Sequence, residues 1–248
     1  VFGNLELLRA SRRMNKKRPV RQLVVDFKDA FPHFPAAKCE QRFMAARVGT
    51  HIYVWARTAQ GSRGAPLVCG RALAQAMRFA TSIVEEDRLD SSTYVDDPLL
   101  SFCADDEDTI TNDMVKVVAA LAALGYSLAY DKAQYSADEP TITWTSGTIH
   151  VDPEKELVTA SVKPDILFEV HESIDELLAT NVAKLKALRK LAGRTSCVST
   201  LLYTWRPFVS MLWGPIYDKR AHNHDVPGTF WVNTVEIPLR CMRAFLAG

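Results

Sequence analysis

No run in this chain approaches the roughly 20 consecutive apolar residues that a membrane-crossing helix needs, and no secretory leader is visible at its start. These absences argue against a helical membrane protein and against a secreted one. Close cysteine pairs are also missing: Cys39, Cys69, Cys103, Cys197 and Cys241 are odd in number and scattered. They lack the spacing of zinc ligands or of a disulfide framework and are expected to be reduced thiols, as in a cytoplasmic or nuclear protein. Neither charge sign dominates, with 30 Lys and Arg against 29 Asp and Glu, so composition does not announce a nucleic-acid binder. There is no internal repeat or low-complexity tract. What remains is an ordinary globular composition, 48% apolar and 24% charged, long enough for one large or two small domains.

Charge placement says more than net charge. Arg9, Arg12, Arg13, Lys16, Lys17, Arg18 and Arg21 form an acid-free block, whereas Glu85, Glu86, Asp87, Asp105, Asp106, Glu107 and Asp108 cluster elsewhere. The basic block reads equally as a phosphate or dNTP contact and as a solvated terminus. The His222-Asn223-His224 loop reads as a turn more readily than as a metal site.

Tyr94-Val95-Asp96-Asp97 is the most telling stretch. Thr93 to Val95 are strand formers, Asp97-Pro98 is a turn signal, and Leu99 to Phe102 read as a second strand, which places Asp96 and Asp97 at a hairpin tip. An isolated Asp-Asp-Pro is in most chains a surface turn. A third carboxylate changes that reading: Gln22 to Phe27 reads as a buried strand ending in Asp26, and an acid there is costly unless paired or metal-bound. If the two strands lie antiparallel, Asp26 and Asp96 meet and can bridge two divalent ions about 4 Å apart, as in-line attack on a phosphate requires.

Other elements follow from periodicity. Pro66 is expected at the start of a helix carrying Leu67, Leu73, Met77, Ala80 and Val84, so that Gln60, Gly61 and Arg63 face an anion at its N-terminus. A second helix opens at Asp105 and Asp106, buries Val115, Val118, Leu121 and Leu124, and is capped by Gly125. Thr141–Ile149 and Glu156–Val162 are expected to form a hairpin around Asp152-Pro153. Ser173 to Glu176 reads as a capping box, opening a helix with Leu177, Leu178, Val182, Leu185 and Leu188 that ends at Gly193. Thr195 to Tyr217, broken at Pro207, reads as an apolar helix pair.

In order along the chain, these residues resemble the reverse transcriptases of retroviruses and long-terminal-repeat retrotransposons. Asp26-Phe27-Lys28-Asp29-Ala30-Phe31 looks like the family's first catalytic motif with its aromatic gate. Gln60-Gly61-Ser62-Arg63-Gly64-Ala65-Pro66 resembles its Gln-Gly turn, Tyr94 to Asp97 its Tyr-x-Asp-Asp hairpin, and Gly125 with Lys132 its next motif. Trp144 to Ile149 is loosely similar to the primer-gripping hairpin. The resemblance covers roughly residues 21–162.

It implies an α+β polymerase palm, an antiparallel sheet with flanking helices, followed by a helical thumb-like segment. Residues 1–165 would be the palm with partial fingers and residues 166–248 the thumb or connection. Asp26, Asp96 and Asp97 would hold two Mg²⁺ ions, Mn²⁺ being an alternative, and Lys132 would be a general acid. Phe27, Phe31, Gln60, Gly61, Arg63 and Tyr94 would contact dNTP, template or primer. The implied partners are an RNA or DNA template with its primer, dNTPs and the remainder of a retroelement polyprotein, with no membrane. A ribonuclease H site is not expected, since Asp218, Asp225 and Glu236 are the only acids after residue 200. Two competing readings are a catalytically silent palm serving as a scaffold and an RNA-dependent RNA polymerase.

Overall fold

The computed structural model describes residues 18–137, 141–145, 147–152, 154–155 and 157–247. Most of the basic block, Arg9 through Lys17, lies outside them. The chain divides into two compact units, Val1–Thr145 with Ile149–Thr159, and Ser146–Thr148 with Ala160–Gly248. The fold is α+β.

In the first unit β1 (Val20–Val24) is followed by a short helix α1 (Lys38–Gln41), a hairpin of β2 (Ala45–Val48) and β3 (His51–Val54), and α2 (Ala65–Thr81). Next come β4 (Leu89–Tyr94), β5 (Asp97–Cys103), α3 (Glu107–Ala123), β6 (Gln134–Tyr135) and β7 (Thr141–Trp144). β8 (Gly147–Asp152) and β9 (Leu157–Val162) complete a sheet of order β7-β8-β9. The main sheet has order β4-β5-β1-β6, with β1 antiparallel to both neighbours.

Because side chains alternate across a strand, β1 and β5 feed two faces. Leu23, Val25, Leu100 and Phe102 pack with Cys69, Leu73 and Met77 of α2 and Ile110, Val117 and Leu121 of α3. Val24 and Leu99, on the other face, pack with Ile142 and Ile149 of the second sheet. Cover on both faces fits the apolar runs Leu23 to Val25 and Leu99-Leu100 in these central strands.

The helical stripes differ from the expected ones. In α2 the buried residues are Ala65, Cys69, Leu73, Ala76, Met77 and Ala80, with Leu67 exposed. In α3 they are Ile110, Asp113, Val117 and Leu121, while Val115 faces outward. Asp106 caps α3 by accepting the Thr109 backbone N–H at 2.7 Å, and Gly125 follows its end at φ +86°, where a side chain would be strained. β8 is the middle strand of that three-stranded sheet, and the connection from β7 passes through Thr145 at φ +55°, while Pro153 lies outside the described residues.

Two arginines of the basic block, Arg18 and Arg21, meet the acidic cluster in the fold. Arg18 pairs with Asp105 at 2.7 Å and with Asp87 at 3.5 Å, and Arg21 pairs with Glu107. These two arginines neutralise acids, so neither alternative proposed for the basic block holds for them.

The second unit contains α4 (Pro164–Leu178), β10 (Val182–Lys184), α5 (Leu185–Leu201), α6 (Arg206–Tyr217), β11 (Thr229–Trp231) and α7 (Glu236–Ala247). Its core gathers Val170, Ile174, Leu188, Leu191, Trp205, Leu212, Phe230 and Leu239. The expected capping box is corrected here: Ser173 to Glu176 lie inside α4, whose start is set by Pro164. Gly193 does not end α5, which continues to Leu201. His222 bonds the Pro215 carbonyl at 3.0 Å through Nε2, and its backbone pairs with Phe230, so the loop is structural.

Candidate active site

Asp26 follows the last residue of β1 by two positions, and the backbone ladder continues past it. Val25 N–H donates to Pro98 O and Phe27 N–H to Asp96 O, both at 3.3 Å. On the other side Ala129 N–H donates to Asp26 O at 2.8 Å and Lys28 N–H to Ser127 O at 2.9 Å. The strand end carrying Asp26 is therefore pinned between the Val95-Asp96 turn and the loop that leads to Lys132.

The hairpin turn sits one residue earlier than the Asp97-Pro98 signal suggested. Tyr94 pairs with Asp97 and Thr93 with Pro98, so Val95 and Asp96 form the two-residue loop. Proline is tolerated as the second residue of β5, near the strand's start, and it leaves the hairpin in register. Val95 has φ +58°. A hairpin loop with φ positive only at its first position follows the type II′ pattern, which ordinarily takes glycine there, so a β-branched residue stores strain. The turn lies against α2 where that helix is slimmest: a Cβ built on Gly70 would stand 3.9 Å from Val95 Cα. Beside it, burial and then the nearby Asp96 charge raise the Cys69 thiol above its ordinary pKa.

Lys132 ends a short 3₁₀ turn, Tyr130–Lys132, and its Nζ donates to Asp26 Oδ2 at 2.8 Å. The hydrogen bond to Asp26, reinforced by that carboxylate's charge, raises the lysine pKa, which keeps it protonated. The pair is open to solvent, at 65% and 32% side-chain exposure. An open cleft of about 440 Å³ is lined by Asp26, Lys28, Asp29, Tyr130, Asp131 and Lys132.

The remaining residues singled out from sequence are placed as follows. Tyr94 is exposed at the hairpin end, and Trp144 Nε1 donates to Asp97 O at 2.9 Å, tying β7 to the turn. Phe27 is 2% exposed and meets Tyr126 edge-on at 5.5 Å, so its ring belongs to the core and is not available to a substrate. Phe31 is half-buried at the start of the 3₁₀ turn Phe31–His33, packed against the same core. Gln60, Gly61 and Arg63 are exposed ahead of α2, with Gly61 at φ +91°. Among the described residues no hydrogen bond or ion pair joins them to Asp26, and Gln60 shares a groove with Pro32, just beyond Phe31. Tyr130 and Asp131 were not foreseen as site residues, and their position directly before Lys132 was the only signal.

The donor set fits a hard divalent cation. Asp26 and Asp96 offer carboxylate oxygens, and Asp26 already holds a cationic ammonium at hydrogen-bond distance. Among the described residues no three His, Cys, Asp or Glu side chains gather into a metal cage. Mg²⁺ is commonly held by one or two carboxylates plus substrate phosphates and water, so a cage is not required.

Similarity to known proteins bears on this geometry. Three solved structures of foamy viral protease-reverse transcriptase align over 92% of this chain: one in complex with RNA/DNA hybrid (TM-score 0.58, 16% identity), and two with double-stranded DNA (0.54 and 16%, 0.52 and 15%). The chain spans only 27%, 42% and 36% of those chains respectively, and at such identity the likeness establishes the fold. A comparison with curated protein sequences returned no match. Residues 6–150, more than half of the sequence, match the family described as reverse transcriptase (RNA-dependent DNA polymerase). The chain belongs to the reverse transcriptase family.

Proposed function

We propose that residues 1–165 form the palm, with part of the fingers, and residues 166–248 the thumb-like segment of a retroelement reverse transcriptase that extends a primer 3′-hydroxyl by template-directed dNTP addition. The observation that carries this reading is the extension of the β1–β5 ladder that sets Asp26 beside the Val95-Asp96 turn, with Lys132 on the Asp26 carboxylate. Asp26 and Asp96, assisted by Asp97, would hold two Mg²⁺ or Mn²⁺ ions. When bound, such ions lower the pKa of the attacking hydroxyl and neutralise the triphosphate and leaving pyrophosphate.

The protein's own groups supply the rest. Tyr94, exposed at the hairpin end, would lie under the primer terminus. Phe31 would flank the sugar of the incoming nucleotide, and Gln60 and Gly61, with Arg63, would position the nucleotide and the template base. Lys132, released from Asp26, would donate a proton to the departing pyrophosphate. Complexes of the foamy viral proteins with RNA/DNA hybrid and double-stranded DNA support a template-primer partner. Longer relatives are consistent with a polyprotein origin.

The test is single-nucleotide extension on poly(rA)·oligo(dT). Asp26→Asn or Asp96→Asn should abolish incorporation, because each removes charge needed to hold a divalent ion. Without Mg²⁺ the melting temperature should hold or rise for Asp96→Asn, since clustered like charges repel, and change little for Asp26→Asn, whose pair with Lys132 is open to solvent. Near wild-type extension by either variant would overturn the assignment. A wild-type protein that binds template-primer without extending it would leave the silent-scaffold reading standing.

A further inference from the structure

β7 is laddered to β8 and not to the main sheet, on which it lies. Apolar packing holds it there: Ile142 meets Val24 and Leu99, with Trp144 against the same cluster. Such packing is non-directional and does not by itself fix where β7 stops along the sheet. A slip of one residue would move the strand by about 3.3 Å and turn each side chain to the other face.

A single side chain supplies the missing direction. Gln134 pairs with Val24 in the β1–β6 ladder and so stands on the face that β7 covers. Its Nε2 donates to Thr143 O at 3.0 Å, and its Oε1 accepts the Thr143 N–H at 2.9 Å. The amide thus takes the place of a backbone partner, bonding both main-chain polar groups of one residue. Next along the strand, Trp144 Nε1 donates to Asp97 O at 2.9 Å, and Asp97 closes the Val95-Asp96 loop by pairing with Tyr94.

Strained backbone lies on both sides of that contact, with Val95 at φ +58° and Thr145 at φ +55°. Residues other than glycine keep such angles where their surroundings over-determine them. Gln134 also follows Lys132 by two residues, and Lys132 holds Asp26. One short segment therefore reaches Asp26 directly and the Asp96-Asp97 turn through β7. For adhesion between the sheets a leucine at position 134 would serve, since the net gain from a hydrogen bond is modest. Only a directional pair of bonds fixes position along the strand.

We propose that Gln134 is a positioning residue for nucleotide addition, setting β7 so that the Trp144 indole holds the turn that carries Asp96 and Asp97. The inference rests on the polymerase reading above and names a determinant of that site's geometry. Gln134 acts on the protein's own carboxylate turn, not on the primer, and it acts through Trp144.

The test is a double-variant cycle in single-nucleotide extension. Gln134→Met keeps the side-chain length and loses both bonds, and Trp144→Phe keeps an aromatic ring and loses the N–H. At saturating primer and dNTP each should slow the chemical step by about tenfold or more, with primer affinity unchanged. The double variant should be no slower than the slower single variant, because both changes break one chain of contacts. Rates are compared at a temperature where circular dichroism shows every variant folded. NMR reads the geometry without activity: the Trp144 indole N–H, identified by its loss in Trp144→Phe, should shift and exchange faster with solvent in Gln134→Met. A wild-type rate or an unmoved indole signal in Gln134→Met, losses that multiply in the double variant, or a loss confined to primer affinity would each overturn the proposal. None of these touches the carboxylate assignment, which fails separately if Asp26→Asn extends the primer.

Discussion

At the scale of single residues the site is a set of small departures from ordinary chemistry. Val95 occupies a left-handed conformation that suits glycine, Asp26 is tied to a lysine 106 residues away in sequence, and Phe31 is only partly buried against the core. Two predictions belong here. If Lys132 delivers a proton, Lys132→Leu should slow the chemical step by roughly 10²–10⁴-fold. Lys132→Arg should be nearly as slow, because a guanidinium keeps the pair with Asp26 but does not release a proton. Pre-steady-state incorporation rates decide this: a fast arginine variant would reduce Lys132 to a charge partner, and an unchanged leucine variant would remove it from the mechanism.

The second concerns sugar choice. Phe31→Val or Phe31→Ala should raise rNTP over dNTP incorporation by at least about tenfold, or roughly 1.4 kcal/mol of lost discrimination. A fully buried phenylalanine would instead lose about 3–5 kcal/mol of stability on truncation, so a half-buried ring should lose less. Comparing kcat/KM for the two nucleotides with the melting temperature separates gate from core. A destabilised protein with an unaltered ratio counts against the gate.

At the scale of elements, the strands were more legible than their turns and the helices more legible than their ends. Short apolar runs, Leu23 to Val25 and Leu99-Leu100, marked β1 and β5 because both faces of each are covered. Asp97-Pro98 misled because local turn propensity yields to the β4–β5 register, which needs the loop at Val95-Asp96. Ser173 to Glu176 misled because a capping-box pattern also fits a helix interior once Pro164 has already set the start. Gln22 could not be recognised as buried, since a glutamine gives no apolar signal, yet it is 1% exposed in β1 opposite Ser101.

β5 also carries a pH dependence. Burial chiefly, with Asp87 and Asp105 adding to it and Arg18 opposing, pushes the Cys103 thiol up to about 11 from its ordinary 9.0. Below pH 9 the thiol is protonated in both folded and unfolded chains, so it adds no slope. Between pH 9 and 11 the unfolded chain ionises first, and folding stability should fall by about 2 kcal/mol from this group. Urea titrations across that window should show a shallower fall for Cys103→Ala than for wild type; parallel curves would refute the assignment.

At the scale of the whole molecule, the two largest hydrophobic clusters among the described residues are distinct, one containing Leu100 and one containing Leu188. Both residues are fully buried. Leu100→Ala and Leu188→Ala should each cost about 2–5 kcal/mol. As the two clusters have no described residue in common, the losses should add in the double variant to within roughly 0.5 kcal/mol. Denaturant midpoints and slopes for the three variants test this, and a large coupling energy would show that the cores are not independent.

The sequence alone determined the family resemblance, the α+β class and the candidate carboxylates, because those rest on residue type at short spacing: an acid ending an apolar run, two acids between strand formers, a glycine before a proline-led helix. Tertiary structure decided what meets what. It brought Lys132 to Asp26, set Arg18 and Arg21 against the acids that had seemed a separate cluster, and withdrew Phe27 into the core. Pairing of charges depends on which backbone segments adjoin, and adjacency across a hundred residues is set by strand register and helix packing, which no local spacing encodes.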